Sequence, residues 1–222
     1  MKKIVLSALV AAFSLCANAQ YESKAGDIAL EVGFNPFSTS FNTTRLNGGS
    51  INARYFISDK NAVRLNLGFA YDGTSDKQGD NDVSKHSGSF SLDLGIENHF
   101  ASFGRLDLYA GGQLGFSSSF GGAKVGNKEL SSGTIADDGW YIAENNVNPC
   151  STTFSLNGFT GINFFVYKNL YVGAEFGVSL STRSYKDFEI KEGDTTIKRE
   201  SNRSKTSFGL YAEPALHLGW VF

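Results

Sequence analysis

The chain has 222 residues, with 20 basic and 22 acidic side chains, a formal net charge of −2 and two cysteines. That balance excludes the basic surplus of a nucleic-acid binder, and two cysteines exclude a disulfide-built scaffold. Glycine (25) and phenylalanine (19) are abundant and proline (3) is scarce, which suits long strands in a single domain.

Residues 1–19 have the layout of a secretory leader. Lys2 and Lys3 are its charged start, 4–15 its apolar stretch, and Ala17-Asn18-Ala19 its small-residue cleavage site. Cleavage there starts the mature domain, 20–222, at Gln20 and leaves 18 basic against 22 acidic residues. Lipoprotein processing at Cys16 is disfavoured, because bulky Leu15 stands where a small residue is needed. The mature chain keeps one cysteine, Cys150. Beyond the leader no apolar run reaches about 18 residues, so no membrane helix is expected.

The remainder alternates with a period of two, the signature of strands. Eight segments do so: 26–35, 49–57, 62–72, 87–100, 106–117, 152–165, 170–181 and 206–222. In the third, Val63, Leu65, Leu67, Phe69 and Tyr71 share a face; in the seventh, Leu170, Val172, Ala174, Phe176, Val178 and Leu180 do. The eighth ends the chain on Leu216, Leu218, Trp220 and Phe222 in one apolar register. Pro214 within it predicts a bulge or bend. The connections alternate in length. Turns at 58–61, 101–105 and 166–169 are short, and 36–48, 73–86, 118–151 and 182–205 are long. Eight strands with this asymmetry predict an all-β, antiparallel, up-and-down transmembrane barrel, with short periplasmic turns and long extracellular loops.

A soluble eight-stranded barrel would also alternate, with the apolar row inside. The polar row argues otherwise. It holds many glycines, among them Gly33, Gly68, Gly95, Gly111, Gly115, Gly161, Gly173 and Gly219, and almost no lysine. Glycine weakens a solvated strand, yet it makes room in the cramped lumen of an eight-stranded barrel. The apolar row is therefore expected to face lipid. Its aromatic ends, Tyr71, Phe116 and Phe154 at one rim and Tyr55, Phe100, Trp220 and Phe222 at the other, suggest interfacial girdles.

Polar-inside alternation places Glu31, Arg54, Arg64, Asp93, Glu97, Asp107, Glu175, Glu213 and His217 in the lumen. Six carboxylates then face two arginines. Buried charges must pair or neutralise, so Arg54 and Arg64 are expected to bridge several carboxylates, with the rest protonated or hydrated. The expected role of this network is to fill the barrel.

No catalytic set stands out. His86 and His99 fall near opposite rims and His217 points inward. No zinc spacing occurs, and no cofactor is expected. In the longest loop, Asp137 to Tyr141 suggests a lid. In the last loop, 188–190 and 196–198 flank Glu192-Gly193-Asp194, a hairpin candidate whose edge offers itself to a partner strand; a solvated charged loop is the alternative.

The eight strands, the turn asymmetry and the ending Leu218-Gly219-Trp220-Val221-Phe222 resemble the small OmpA/OmpX-like outer-membrane β-barrels of Gram-negative bacteria. The resemblance covers about 26–222 and implies an outer-membrane location among lipid and lipopolysaccharide. It makes Leu218, Trp220 and Phe222 an assembly signal for the barrel-assembly machinery. Outer-membrane deacylases use a His-x-Ser motif that is absent here. Palmitoyl-transferring barrels add an N-terminal amphipathic helix, for which 20–26 is too short. A monomeric, non-enzymatic envelope protein that meets a surface partner through its loops is the leading expectation. A narrow channel, or an accessory subunit of a secretion or assembly complex, is the alternative.

Overall fold

An alternating segment becomes a stable strand only when neighbours satisfy its backbone on both sides. The computed structural model describes residues 23–34, 50–78, 81–135, 141–143 and 146–222, with the backbone alone at 33–34, 50, 77–78, 81 and 211–215. The leader expected at 1–19, the connection at 36–48 and most of the lid segment lie outside these residues. The described strands are β1 (Ile28–Phe34), β2 (Ser50–Ser58), β3 (Asn61–Gln78), β4 (Asn81–Phe103), β5 (Leu106–Val125), β6 (Lys128–Ser131), β7 (Gly133–Ile135), β8 (Val147–Pro149), β9 (Ser151–Tyr167), β10 (Leu170–Tyr185), β11 (Phe188–Glu192), β12 (Thr195–Arg199) and β13 (Ser204–Val221).

Eight of them close on themselves. The order runs β1, β2, β3, β4, β5, β9, β10, β13 and back to β1, every pair antiparallel. The closing ladder sets Leu30 opposite Trp220 and Val32 opposite Leu218. No helix among the described residues is long and apolar enough to cross a membrane; a barrel crosses with strands. The three short turns fall at 59–60, 104–105 and 168–169. Gly104 takes φ +62°, a left-handed conformation that glycine adopts without strain.

The apolar row faces out. Ile51, Phe69, Ile96, Leu114, Phe154, Phe208 and Leu210 are all exposed, and Arg54, Glu31 and Glu97 on the opposite row are buried. Pro214 sits in an irregularity. Between Glu175 and Gly177 the partner strand advances from Ala215 to Tyr211, so two steps oppose four.

Three connections expected as loops are largely strand. β3 and β4 continue in register to Gln78 opposite Asn81, through the expected loop at 73–86. β5 runs on to Val125, and 118–151 further holds β6, β7 and β8. Within 182–205 the hairpin candidate is present as β11 and β12, turning at Gly193. β11 pairs with β6 and β6 with β5, so one sheet continues from the barrel wall. The 20 residues of β5, at about 3.4 Å each and a tilt of about 40°, rise about 50 Å, twice the roughly 25 Å apolar belt of such barrels. The upper half of the strand therefore stands in water.

Polarity inverts there. In the belt the inward row of β5 is polar (Asp107) and the outward row apolar (Leu114). Above it, inward Ala123 joins Leu130, Ile135, Ile142, Phe188 and Ile190 in a buried apolar cluster, and outward Lys124, Glu129 and Lys191 are exposed. The β7–β8 hairpin folds onto the inner face of this extension. A Cβ on inward Gly121 would come within 2.7 Å of Thr134 Cγ2. Backbone bonds from Cys150 N to Ser132 O (2.9 Å) and from Lys186 N to Cys150 O (2.7 Å) tie it down. Cys150 itself is a free, buried thiol. Burial pushes that thiol up, opposed in part by the Lys186 cation and a hydrogen bond with Ser119.

The core beyond the belt should fail separately from the barrel. Leu130→Ala removes a fully buried side chain, a change that costs about 2–5 kcal/mol. Limited proteolysis should then cut within 126–150 and 186–203, and the unheated protein should keep the gel mobility of a folded barrel.

Candidate functional site

Arg54 on β2 and Arg64 on β3 are direct cross-strand neighbours. Like charges in that position repel, so the pair persists only if carboxylates surround it. They do. Arg54 Nη2 lies 3.0 Å from Glu31 Oε1 and its Nε 3.3 Å from Glu97 Oε1. Arg64 Nη1 lies 3.5 Å from Glu97 Oε2 and 2.6 Å from Glu175 Oε2. Glu97 thus bridges both guanidiniums. The Arg64–Glu175 contact is an aligned hydrogen bond. The Arg54 contacts are not: Nε and Nη2 donate no hydrogen bond, so attraction there is coulombic and is strengthened by a water-poor surrounding.

Aromatic rings complete the cluster. The Arg54 guanidinium stacks 4.5 Å over Tyr109, and that of Arg64 4.2 Å over Phe159. Tyr109 donates its hydroxyl to Glu175 Oε2 at 3.1 Å, and Tyr171 donates to Glu31 Oε1. Each large ring lies across a strand from a glycine: Tyr109 on Gly161, Phe159 on Gly111, Tyr171 on Gly219 and His217 on Gly173. A Cβ on Gly161 would fall 2.3 Å from the Tyr109 ring, and one on Gly219 2.2 Å from Tyr171. The lumen glycines are sockets for particular rings.

His99 extends the network sideways. Its Nδ1 lies 2.6 Å from Asp107 Oδ2 and its Nε2 3.1 Å from Glu97 Oε1. Ionised carboxylates only accept, so this geometry calls for a proton on both ring nitrogens. Asn163 donates to Asp107 at 3.3 Å, and its own Oδ1 lies 3.0 Å from His217 Nε2. Ser102 donates to Asp107 Oδ1 at 3.2 Å. A nucleophilic serine would instead have to sit on the ring nitrogen that faces away from the aspartate. Here both nitrogens are committed to carboxylates, so the set can hold charge in place and has no free base.

The structure thus brings together Glu31, Arg54, Arg64, Glu97, Asp107, Glu175 and His217. Asp93 stands apart, half-buried beside Gly115 and Ser155. The side chain of Glu213 lies outside the described residues. His99, Tyr109, Asn163 and Tyr171 are lumen residues that the sequence analysis did not assign. Their signal was present, since each falls on the inward register of its strand. Among the described residues no three His, Cys, Asp or Glu side chains gather to hold a metal.

Two further layers bracket the cluster. Towards the short turns, Ala29, Phe56, Ala62, Phe165, Tyr171 and Val221 form a buried apolar layer. The cavity touching Arg54, Phe56, Asp107, Phe165 and Tyr171 is about 10 Å³, room for one water at most. Towards the loops the inward row is hydroxyl-rich, with Ser91 opposite Ser117, Ser89 opposite Ser119 and Ser155 opposite Ser181. Leu218, Trp220 and Phe222 lie on the other side of the wall, exposed on the outer face of β13 and at its end.

Arg54→Leu leaves Glu31 buried without its guanidinium partner and Glu97 with only Arg64 and His99. Breaking a buried pair from one side costs about 3–5 kcal/mol. The thermal midpoint of the refolded barrel should fall, and adding Glu31→Gln should recover part of the loss. An unchanged midpoint in the single variant would show that the ion pairs contribute nothing.

A scan against protein families matches the outer membrane protein beta-barrel domain over residues 5–177. No curated protein matches the chain. The match takes in the strands that carry Glu31, Arg54, Arg64, Glu97, Asp107 and Glu175, and it covers most of the sequence. With the closed antiparallel ring and its outward apolar face, it establishes that the chain belongs to the outer membrane protein beta-barrel domain family and is an outer-membrane protein.

Proposed function

We propose that this protein is an integral envelope barrel whose lumen is closed to ions and whose activity lies in its extracellular sheet. The observation that carries the reading is the stack of layers at the short-turn end. An apolar layer of Phe56, Phe165 and Val221 lies beneath a charge cluster in which Arg54 stands 3.0 Å from Glu31 and 3.3 Å from Glu97, and Arg64 2.6 Å from Glu175. Ions would have to part Arg54 from Glu31 and Glu97, and then pass an apolar constriction. The narrow-channel alternative needs both barriers to open. In this reading residues 1–19 are a leader removed on export. The outward Leu218, Trp220 and Phe222 serve barrel assembly, and lipid and lipopolysaccharide surround the belt.

In planar bilayers the purified protein should give no steady ion-sized steps. Arg54→Leu combined with Phe56→Ala should raise conductance above that baseline. Regular steps from the unaltered protein would overturn the closed-lumen reading.

The surface role rests on β12. Its five residues are all exposed, and among the described residues it is the last strand of the sheet β5-β6-β11-β12. Unpaired strand edges recruit extended peptide. Ile197, on the same face as Ile190, overhangs the extracellular core half-exposed. A photo-crosslinker at position 197 in intact cells should trap a discrete protein adduct that one at lipid-facing Ile51 does not. Absence of any adduct specific to position 197 would remove the surface-interaction role.

A further inference from the structure

We infer that the lumen cluster is a pH-sensitive device: His99 joins Glu97 to Asp107 only as an imidazolium, and raising the pH through neutrality loosens the short-turn end of the barrel. The buried ring sets Nδ1 2.6 Å from Asp107 Oδ2 and Nε2 3.1 Å from Glu97 Oε1. A neutral imidazole carries one N–H, so either tautomer would turn a ring lone pair on one of the two carboxylates. The ring is held against rotating away from that repulsion. It packs between Phe56 and Tyr109, with ring centroids 5.0 and 5.5 Å away, and its backbone N donates to Lys60 O at 2.7 Å.

The two carboxylates have little to replace the lost donor. Among the described residues, His99 gives Glu97 its one side-chain hydrogen bond. Glu97 Oε2 receives none, and Arg54 and Arg64 meet Glu97 as ion pairs at 3.3 and 3.5 Å. Asp107 would keep two neutral donors, Ser102 at 3.2 Å and Asn163 at 3.3 Å. Loss of the His99 proton therefore adds an uncompensated negative charge to a buried cluster, which is costly.

Histidine is the side chain whose charge ordinarily changes between pH 5 and 8. The groups that face His99 are Glu97 on its own strand, Asp107 and Tyr109 on β5, and Arg54 on β2 through the shared Glu97. A cavity of about 380 Å³ at the short-turn rim brings water to the ring, between Ser23, Lys24, Asp59, Lys60 and Ser102. Lys24 and Lys60 oppose a proton there, but across water their fields are screened, and the carboxylates are in direct contact. The other histidines differ. His217 needs one ring proton to donate to Asn163 Oδ1 at 3.0 Å, and His86 is exposed above the belt. Stability falls as pH rises wherever the folded state holds more protons than the unfolded chain. The inference concerns the stability of the lumen and stands whether or not the barrel conducts.

Heat unfolding of the full barrel in a non-ionic detergent, at constant ionic strength, tests it. The midpoint should fall by about 5 °C between about pH 6 and about pH 9, the size expected for one charge-assisted hydrogen bond in a chain of this length. His99→Gln has the same single donor group at every pH, so it should start lower and lose the fall. His86→Gln should keep it. A midpoint that does not fall with pH in the unaltered protein would overturn the inference, as would an equal fall in His99→Gln. Should His99→Gln not fold, nitrogen NMR of the histidine-labelled, unaltered protein decides at about pH 7.5, where an ordinary histidine is neutral. A ring next to Phe56 that is protonated on both nitrogens supports the inference, and a neutral ring there overturns it.

Discussion

In a lipid bilayer a strand has no water to satisfy its unpaired backbone groups, so a sheet can stand there only if its first and last strands meet. The ladder between β1 and β13 is that meeting. Once it closes, each side chain is assigned to one of two media. The outward row must suit hydrocarbon, and Ile51, Ile96 and Leu114 do. The inward row must fill a tube barely wider than its own side chains. Every other property of the lumen follows from that confinement.

Confinement explains how two arginines come to be cross-strand neighbours. Their charges are tolerated because Glu31, Glu97 and Glu175 reach them across the lumen from three other strands. Tyr109 and Tyr171 hold two of those carboxylates by their hydroxyls, and each ring is seated on a glycine of the adjacent strand. Replacing one socket would displace a ring, then a carboxylate, then an arginine. The cluster is a single packed object, in which a hydrogen bond joins Tyr171 to Glu31 across 140 residues of chain.

The same strands leave the membrane and continue. Where the outside changes from lipid to water, the two rows exchange character: Ala123, Leu130 and Ile190 turn inward and Lys124, Glu129 and Lys191 outward. The part beyond the belt thereby gains an apolar core of its own and becomes a continuation of the sheet. Among the described residues this sheet ends at β12, and a sheet edge presents backbone donors and acceptors in a fixed direction, which a solvated loop does not.

The barrel strands, their outward face and the inward placement of the charges were legible in the sequence, because lipid outside and close packing inside impose a strict period of two. Glu31, Arg54 and Glu175 can be assigned to the lumen by counting. The strand extensions beyond the belt were less legible. Segments such as 73–78 and 118–125 mix serine, glycine and charge, and their order comes from neighbouring strands. His99 was read as a rim residue because it lies at the end of the segment 87–100, whereas β4 runs on to Phe103 and keeps it in the inward row. Which carboxylate meets which arginine was not legible at all. Glu97 stands opposite Ala62 and Gly111 in the ladders, yet it binds Arg54 and Arg64 through the lumen. The sequence by itself determined which side of the wall each residue occupies, since that depends only on parity along a strand. The tertiary structure alone decided who meets whom inside, since that depends on how the closed sheet curves and staggers its strands around a common axis.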